Sequence, residues 1–248
     1  PLAERCKQYT AFQTPDGLMQ YRRMPMGLKT ASAVFSRYVD HMLGDMKFTN
    51  VLAYIDDLLI YTTSAEGHLD ILGRVFRRLR QFNMTLGAKK CALFAPSVGF
   101  LGHVVNKDGV HTDPGKVKAI QSLGLPESKQ AMESALGLMA YYRKFIRDYS
   151  KIEKPLRDKL KQPPAAWRKT NNAVPYSDKE RAAFFSIRDA LTKEPILGHP
   201  DWSLPFELHT DACKEGLGAV LCQQIDGKER VISYASRSVT PTEGNYSV

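Results

Sequence analysis

The order of apolar and polar positions predicts that short strands alternate with amphipathic helices in the first part of the chain. Strand-like runs are expected at residues 9–13, 18–24, 51–55, 58–61, 92–94 and 98–104. Apolar side chains recur every three or four positions at residues 30–43 and 65–83, which is the period of a helix with one buried face. In the second helix the expected buried stripe is Leu69, Leu72, Val75, Phe76, Leu79 and Phe82. Strands and helices of these lengths indicate an α/β or α+β layer domain.

The second part of the chain is predicted to be helical first and strand-rich later. A helical pattern runs through residues 113–161, with the apolar stripe Met132, Leu136, Met139, Tyr142, Phe145 and Ile146. Residues 162–176 are rich in proline, which is typical of a linker. Ser177 with Glu180 three positions later has the spacing of a capping box, so a helix is expected at residues 177–192. Short strands are expected at residues 204–210, 216–224 and 230–235.

Charge and composition narrow the classes of protein. The formal net charge is +9, and residues 113–170 alone carry a local charge of +7. Such a segment fits either a polyanion partner or a well-solvated helical surface. No run of 18 apolar residues occurs, so we expect no membrane span. The start is polar and lacks an initiator Met, which suggests a piece of a longer chain. The four cysteines are dispersed without zinc spacing, as expected for free thiols in a reducing compartment.

The most informative chemistry lies in residues 53–61, where two adjacent carboxylates, Asp56 and Asp57, separate two apolar runs. A tight hairpin with both carboxylates at its tip fits this pattern. Two like charges side by side favour a bound cation, and hard oxygen ligands suit Mg²⁺, which usually arrives with substrate phosphates. The pattern therefore indicates two-metal phosphoryl transfer. The alternative is an ordinary turn that uses Asp, a common turn residue.

The order strand, turn, strand, Met-Pro-Met-Gly-Leu, helix and Tyr-Ile-Asp-Asp resembles the palm of retroelement reverse transcriptases, closest to the long-terminal-repeat retrotransposon type. The resemblance covers essentially the whole chain and implies an α+β fold. It predicts a right-hand polymerase palm at residues 1–105, a helical thumb at 106–162 and a linker or connection at 163–203. The first strands of a ribonuclease H-like α/β domain would follow at 204–248.

The resemblance also implies roles for individual residues. Asp56 and Asp57 match the family's metal-binding pair. Met26, Gly27 and Lys89 would contact the incoming nucleotide, although Lys89 also fits a solvated lysine at a strand edge. The expected contacts with template and primer are Arg22, Arg23, Lys29 and the "primer grip" segment Phe100, Leu101, Gly102 and His103. Arg22, Arg23 and Lys29 also fit ordinary surface charge, because phosphate contacts carry no specific signature.

A second part of the resemblance lies downstream, where residues 206–213 and 216–221 look like the opening of a retroelement ribonuclease H domain. There a strand delivers an aspartate, here Asp211, to a Mg²⁺ site, and small residues let the next strand approach closely. The alternative is a strand-end Asp in a turn. Cys213 stands where the family commonly has Ser, and Ser32 where it commonly has Pro; both changes are small.

Two departures from the family pattern concern acidic residues. The third palm carboxylate would fall before Pro1, and further ribonuclease H acids would fall after Val248. No catalytic role is carried over to Glu243, which lies just before the stretch that usually precedes the family's acidic helix. We therefore expect that this 248-residue stretch on its own neither polymerises nor cleaves.

The resemblance implies an RNA-directed DNA polymerase with an attached ribonuclease H, using Mg²⁺ or Mn²⁺. Its partners would be an RNA or DNA template with primer, deoxynucleoside triphosphates and RNA–DNA hybrid, beside protease and integrase domains of the same polyprotein. Its location would be the cytoplasm, within virus-like particles, or the nucleus. One alternative is a catalytically dead or host-retained remnant that binds nucleic acid or acts as a scaffold. Another keeps the enzyme but places it in a DNA virus that replicates through RNA.

Overall fold

In the computed structural model the chain forms two compact units, Pro1–Cys91 and Ala92–Val248. The residues that it describes are 1–161, 175–193, 195–213, 216–240 and 242–243. The predicted linker at residues 162–176 therefore lies almost entirely outside the described residues. Among the described residues, no helix is long and apolar enough to cross a membrane.

The first unit contains three helices and two β-hairpins in its described residues. The helices are α1 (Glu4–Lys7), α2 (Ala31–Leu43) and α3 (Ala65–Gln81). The strands are β1 (Phe12–Thr14), β2 (Gly17–Met19), β3 (Val51–Tyr54) and β4 (Asp57–Ile60). β1 pairs with β2 and β3 pairs with β4, both antiparallel. The strand predicted at residues 9–13 begins only at Phe12, because Gln8–Thr10 form a 3-10 turn.

The core of the first unit lies between helices α2 and α3 and strand β3. Its buried side chains are Val39, Met42, Leu43, Met46, Val51, Ile71, Val75 and Leu79. The predicted stripe of α3 is wrong in part, since Leu69 is 61% exposed while Ile71, outside the stripe, is 7% exposed. Phe76 is exposed as well. Two positions separate Leu69 from Ile71, about 200° around a helix, so the two side chains cannot share one buried face.

The second unit combines four helices with two antiparallel sheets in its described residues. The helices are α4 (Pro114–Gln121), α5 (Lys129–Tyr141), α6 (Tyr149–Lys161) and α7 (Asp178–Thr192). One sheet has the order β5 (Ser97–Phe100), β6 (His103–Asn106), β7 (Gly109–Thr112), β8 (Ile196–Leu197). The other has the order β11 (Lys228–Ser238), β10 (Gly216–Ile225), β9 (Glu207–Ala212). The three late strands were predicted, whereas β7 and β8 were not, and residues 92–94 form no strand.

The helical core of the second unit confirms the apolar stripe that the sequence predicted. Met132, Leu136, Met139, Tyr142, Phe145 and Ile146 are all buried. They pack in one cluster with Phe184, Ile187 and Leu191 of helix α7. Helix α7 begins as predicted: the Ser177 side chain accepts from the Glu180 amide at 3.3 Å, and the Glu180 carboxylate accepts from the Ser177 amide at 2.8 Å. Both halves of the capping box are therefore present.

The start of helix α6 packs against the sheet of β9, β10 and β11. The Ser150 amide donates to the Ser236 hydroxyl of β11 at 2.9 Å. A Cβ atom added to Gly218 would lie 2.5 Å from a carboxylate oxygen of Asp148, so the glycine leaves room for this side chain beside the strand. Helices predicted for the thumb and strands predicted for the ribonuclease H-like domain thus belong to one packed body.

Helix α3 offers a direct test of this core. Leu79→Ala removes a side chain that is 5% exposed and should lower the free energy of unfolding by about 2–5 kcal/mol. Leu69→Ala, the matched control on the same helix, should change it by less than about 0.5 kcal/mol. Urea denaturation followed by circular dichroism measures both values. Equal losses for the two variants would contradict the packing described here.

Candidate functional site

Strands β3 and β4 form the predicted tight hairpin and place both aspartates at its tip. Tyr54 pairs with Asp57, which leaves Ile55 and Asp56 as a two-residue turn. Asp56 therefore lies in the turn, and Asp57 is the first residue of β4. The base of the hairpin is anchored, because Val51 is fully buried and the Tyr61 amide donates to the Asn50 carbonyl at 3.0 Å. A fixed base and an exposed tip present the two carboxylates on a rigid element.

Ile55 is the strained residue of this turn. Its φ of 53° lies in the left-handed region, which β-branched residues rarely adopt. A positive φ at only the first turn position is the pattern of a type II′ turn, where glycine is the usual residue. Strain of this kind costs about 1–3 kcal/mol and is concentrated at functional sites. Ile55, directly before Asp56, is strained in this way.

The carboxylates of Asp56 and Asp57 are exposed, and in the described residues neither makes an ion pair or a side-chain hydrogen bond. Two adjacent anions without a cationic partner repel each other and favour a shared cation. Their hard oxygen atoms are the ligand type that divalent cations such as Mg²⁺ prefer. The donor set therefore fits a divalent metal ion.

The segment predicted to contact nucleotide and template lies on the surface of the first unit. Arg22, Arg23, Met26, Gly27 and Lys29 are all exposed. Gly27 has a φ of 87°, and a Cβ atom there would meet nothing within 4 Å. Gly27 is therefore required by its positive φ, and not by lack of space for a side chain.

Lys89 lies in the same unit but not on a strand. It occupies the short 3-10 turn Ala88–Lys90, which closes through a hydrogen bond from the Lys90 amide to the Gly87 carbonyl at 2.8 Å. The strand-edge placement of Lys89 is therefore wrong, whereas a solvated lysine still fits. Its side chain is exposed, as a contact with a triphosphate would require.

In the second unit, residues 100–103 form the tip of the β5–β6 hairpin. Phe100 pairs with His103 across a two-residue turn, Leu101–Gly102. Both turn residues have positive φ, 47° and 65°, which is the pattern of a type I′ turn. The hydroxyls of Tyr141 and Tyr142 donate to the carbonyl oxygens of this turn. The sequence placed Tyr142 in the core but gave no local signal for these two contacts, which span forty residues.

His103 is half-buried among aromatic rings beside this turn. Its ring centroid lies 5.3 Å from that of Tyr141 and 5.8 Å from that of Phe145, in stacked arrangements. Its Nδ1 atom is 2.7 Å from the Leu101 carbonyl oxygen, so Nδ1 carries the proton and donates. Burial lowers the pKa of His103 below its usual value, and the nearby Lys144 cation lowers it further. The ring is therefore neutral at physiological pH.

Asp211 lies on strand β9, where it is exposed and pairs with Gly218 of β10. Gly218 also faces Asp148, so a second carboxylate approaches the strand beside Asp211. The sequence gave no indication of Asp148, because its place depends on how helix α6 meets the sheet.

Glu243 has a structural partner that agrees with leaving it out of the predicted site. Its carboxylate accepts from the Arg237 guanidinium at 2.6 Å and from the Thr240 amide at 2.9 Å. The Arg237 hydrogen bond, helped by Thr240, lowers the pKa of Glu243 to about 2. The Glu243 amide donates back to the Thr240 hydroxyl at 3.3 Å, which is the reciprocal pattern of a capping box.

Strand pairing also gathers three residues that the sequence kept apart. Ligand-type atoms of His209, Cys222 and Glu229 lie within 4.8 Å of one another, on β9, β10 and β11. Sequence spacing showed no such cluster because each strand contributes one residue. Cys222 is buried, and its thiol donates to Glu229 at 3.6 Å. Burial, with Glu229 beside it, raises the pKa of this thiol, which keeps it protonated.

Comparison with known proteins assigns the chain to a class. The family described as reverse transcriptase (RNA-dependent DNA polymerase) matches residues 1–105. The family described as the RNase H-like domain found in reverse transcriptase matches residues 176–248. Residues 1–105 therefore belong to the reverse transcriptase family, and residues 176–248 belong to the RNase H-like family found in reverse transcriptase. Families of this kind use divalent metal ions, which agrees with the donor set of Asp56 and Asp57.

Within that class, the chain is similar to Pol polyproteins of gypsy-like long-terminal-repeat retrotransposons. It is 36% identical over 250 residues to the retrovirus-related Pol polyprotein from transposon gypsy of Drosophila melanogaster, covering 99% of this chain and 24% of that protein. It is 36% identical over 241 residues to the corresponding polyprotein from transposon opus, covering 96% of this chain and 24% of that protein. The chain thus spans about a quarter of the length of these curated relatives.

A solved structure shares the fold over the whole chain. The foamy viral protease-reverse transcriptase in complex with RNA/DNA hybrid matches with a TM-score of 0.82 at 25% sequence identity. The match covers 100% of this chain and 32% of that one. The predicted combination of an α+β polymerase part and a ribonuclease H-like part is confirmed.

The environment of His103 predicts a dependence of stability on pH. Because the folded chain resists protonation of His103, the unfolded chain binds more protons once the pH falls below about 6.5. The stability that neutral His103 contributes is therefore complete above that pH and is lost as the pH falls toward 5.5. His103→Gln should reduce the fall in thermal midpoint between pH 7.5 and 5.5, measured by differential scanning fluorimetry.

The control for this experiment is His209→Gln, which alters an exposed histidine on strand β9. This variant should keep the fall in thermal midpoint that the parent shows. If His103→Gln keeps it as well, neutral His103 does not contribute to stability as described.

Proposed function

We propose that this chain forms part of an RNA-directed DNA polymerase with an attached ribonuclease H, working by two-metal nucleotidyl transfer. One observation carries the proposal: the β3–β4 hairpin presents Asp56 and Asp57 side by side, exposed, with no ion pair in the described residues, within the segment that matches the reverse transcriptase family. The Pol polyprotein relatives and the foamy viral enzyme with its RNA/DNA hybrid support it.

In this proposal Asp56 and Asp57 hold Mg²⁺ or Mn²⁺ through their carboxylate oxygens. The bound metal would favour attack of the primer 3′-hydroxyl on the α-phosphate and neutralise charge on the departing pyrophosphate. The strained turn fixes where the two carboxylates sit, so the ligands need little rearrangement when nucleotide arrives. A rigid donor pair of this kind is what precise placement of two oxygens requires.

The remaining polymerase contacts are assigned by residue type and exposure. Met26 and Gly27 would line the nucleotide pocket, since a thioether packs adaptably and glycine admits close backbone approach. Lys89 would contact the triphosphate. Arg22, Arg23 and Lys29 would contact phosphates of the template, and the turn at residues 100–103 would contact the primer. All these side chains act by binding and orientation, with no proton transfer assigned to them.

The ribonuclease H assignment rests on Asp211 of strand β9, which would hold a divalent metal for cleavage of the RNA strand in an RNA–DNA hybrid. The proposed division is palm at residues 1–105, thumb at 106–162, connection at 163–203 and ribonuclease H-like strands at 204–248. The substrates would be an RNA or DNA template with primer and deoxynucleoside triphosphates. Protease and integrase domains in the same polyprotein, and a place in cytoplasmic virus-like particles or the nucleus, complete the proposal.

Removing one metal ligand tests the polymerase proposal. In the chain extended at both ends to the length of its relatives, Asp56→Asn should reduce Mg²⁺-dependent primer extension on an RNA template by at least about 10³-fold, because metal stabilisation amounts to several kcal/mol. Asp16→Asn, at the exposed β1–β2 turn, is the control and should extend like the parent. Extension by Asp56→Asn at the parent rate would exclude the assigned role. A folded parent that extends no primer would favour the remnant alternative.

The ribonuclease H proposal has a separate test. Asp211→Asn in the same extended protein should abolish cleavage of a labelled RNA–DNA hybrid and leave primer extension within about twofold, since a lost metal ligand affects only its own site. Asp226→Asn, in the β10–β11 turn at a φ of 54°, is the control because Asn tolerates this conformation. Hybrid cleavage that survives Asp211→Asn would show that this aspartate holds no catalytic metal.

A further inference from the structure

The Leu101–Gly102 turn is held by hydroxyl groups from two consecutive tyrosines. Tyr141 donates to the Leu101 carbonyl oxygen, and Tyr142 donates to the Gly102 carbonyl oxygen at 2.7 Å. The carbonyl groups of a two-residue turn lie outside the strand ladder and need other partners. The Tyr142 hydroxyl is the donor to the Gly102 carbonyl, and the Tyr141 hydroxyl shares the Leu101 carbonyl with His103 Nδ1, so both peptide groups of the turn are held.

A break in the helix allows consecutive residues to act together in this way. Neighbouring side chains on a regular helix point about 100° apart and do not share a target. Helix α5 ends at Tyr141, and Tyr142 leaves the helical conformation with φ −100° and ψ 13°. The two rings then lie perpendicular, with centroids 5.0 Å apart. The helix end thus brings both hydroxyls to the turn.

The fit between turn and tyrosines is close on several sides. Gly102 has a φ of 65°, and a Cβ atom on it would lie 2.9 Å from the Tyr141 hydroxyl and in contact with the Lys116 ammonium. Lys116 Nζ lies 4.4 Å from the centroid of the Tyr141 ring, and His103 stacks on that ring. The turn therefore has little freedom to rotate against the end of helix α5.

Burial alone explains one tyrosine but not the other. Tyr142 is fully buried in the helical core, where packing accounts for its presence. Tyr141 is 45% exposed, and Leu101 is 36% exposed. Lys116 lies over the Tyr141 ring and Lys144 lies near His103, both partly exposed, and these cations suit a nucleic-acid backbone. A partly exposed tyrosine that holds a turn at a cationic surface points to a role in placing a bound strand.

We propose that Tyr141 and Tyr142 are positioning residues for the primer strand: their hydroxyls hold the Leu101–Gly102 turn in one orientation against helix α5, so that a primer end seated on the turn stays aligned for attack. The inference rests on the proposed polymerase function and on the primer contact proposed for this turn. Neither tyrosine has to touch the primer. Losing the Tyr142 hydroxyl frees the Gly102 carbonyl, whereas losing the Tyr141 hydroxyl leaves the Leu101 carbonyl with His103 Nδ1 as its remaining donor. Either loss loosens the turn, and small misplacements of a reacting group are costly in rate.

The test removes one hydroxyl at a time in the extended protein and separates binding from turnover. Tyr141→Phe and Tyr142→Phe should each lower kcat for primer extension roughly tenfold and raise termination per added nucleotide. The KM for deoxynucleoside triphosphate and the Kd for primer–template should stay within about twofold, since the ligands' own contacts remain. Tyr176→Phe is the matched control, because its hydroxyl also donates to a backbone carbonyl of the same unit, that of Pro126 at 2.5 Å.

The outcomes separate positioning from stability. A purely structural role would lower the thermal midpoint in all three variants and leave kcat and termination at the parent values, which would overturn the proposal. Gly102→Ala, which crowds the Tyr141 hydroxyl, should lower kcat without a further loss when combined with Tyr141→Phe. A parent that extends no primer would instead refute the proposed polymerase function, and the positioning role with it. Faster amide exchange at residues 101–103 in Tyr141→Phe is the expected activity-independent sign that the hydroxyl fixes the turn.

Discussion

Two features assigned to the polymerase depend on one constraint, the closure of a hairpin by a two-residue turn. They are the β3–β4 tip with Asp56 and the β5–β6 tip with Gly102. Closing two antiparallel strands with only two residues forces part of the turn into the left-handed region. Ile55 and Leu101 adopt this left-handed conformation, although neither is glycine. Each hairpin therefore has a short turn, which places the residues at its tip at a defined point. This backbone geometry places Asp56 and Gly102, and the hydroxyls of Tyr141 and Tyr142 also hold the second turn.

The same constraint explains which parts of the site could be predicted. Two apolar runs that flank Asp56 and Asp57 at fixed spacing permit few structures other than a hairpin, so the local pattern was sufficient. The capping box of Ser177 and Glu180 was predictable for the same reason. The late strands also carried their own signals in composition and length. These elements depend on neighbours that are close in sequence.

What could not be predicted depends on partners that are distant in sequence. Strand β8 has two residues, too few for any periodic pattern, and exists because it pairs with β7. The buried face of α3 centres on Ile71 and not Leu69, because the positions of α2 and β4 decide which side of the helix is covered. The hydroxyl contacts of Tyr141 and the approach of Asp148 to Gly218 likewise arise only when separate elements pack. Periodicity shows that a face is apolar but does not show what it meets.

The pairing of β7 with β8 has a consequence for the order of events during synthesis. His111 of β7 pairs with Ile196 of β8, 85 positions later, whereas β5, β6 and β7 follow one another directly. The ribosome therefore releases β7 long before its partner strand exists, and contacts of such long range form late. Until then the outer edge of β7 offers unpaired backbone groups to any other strand. The nascent chain is most open to mispairing in this interval, and completion of helix α7 and β8 ends it.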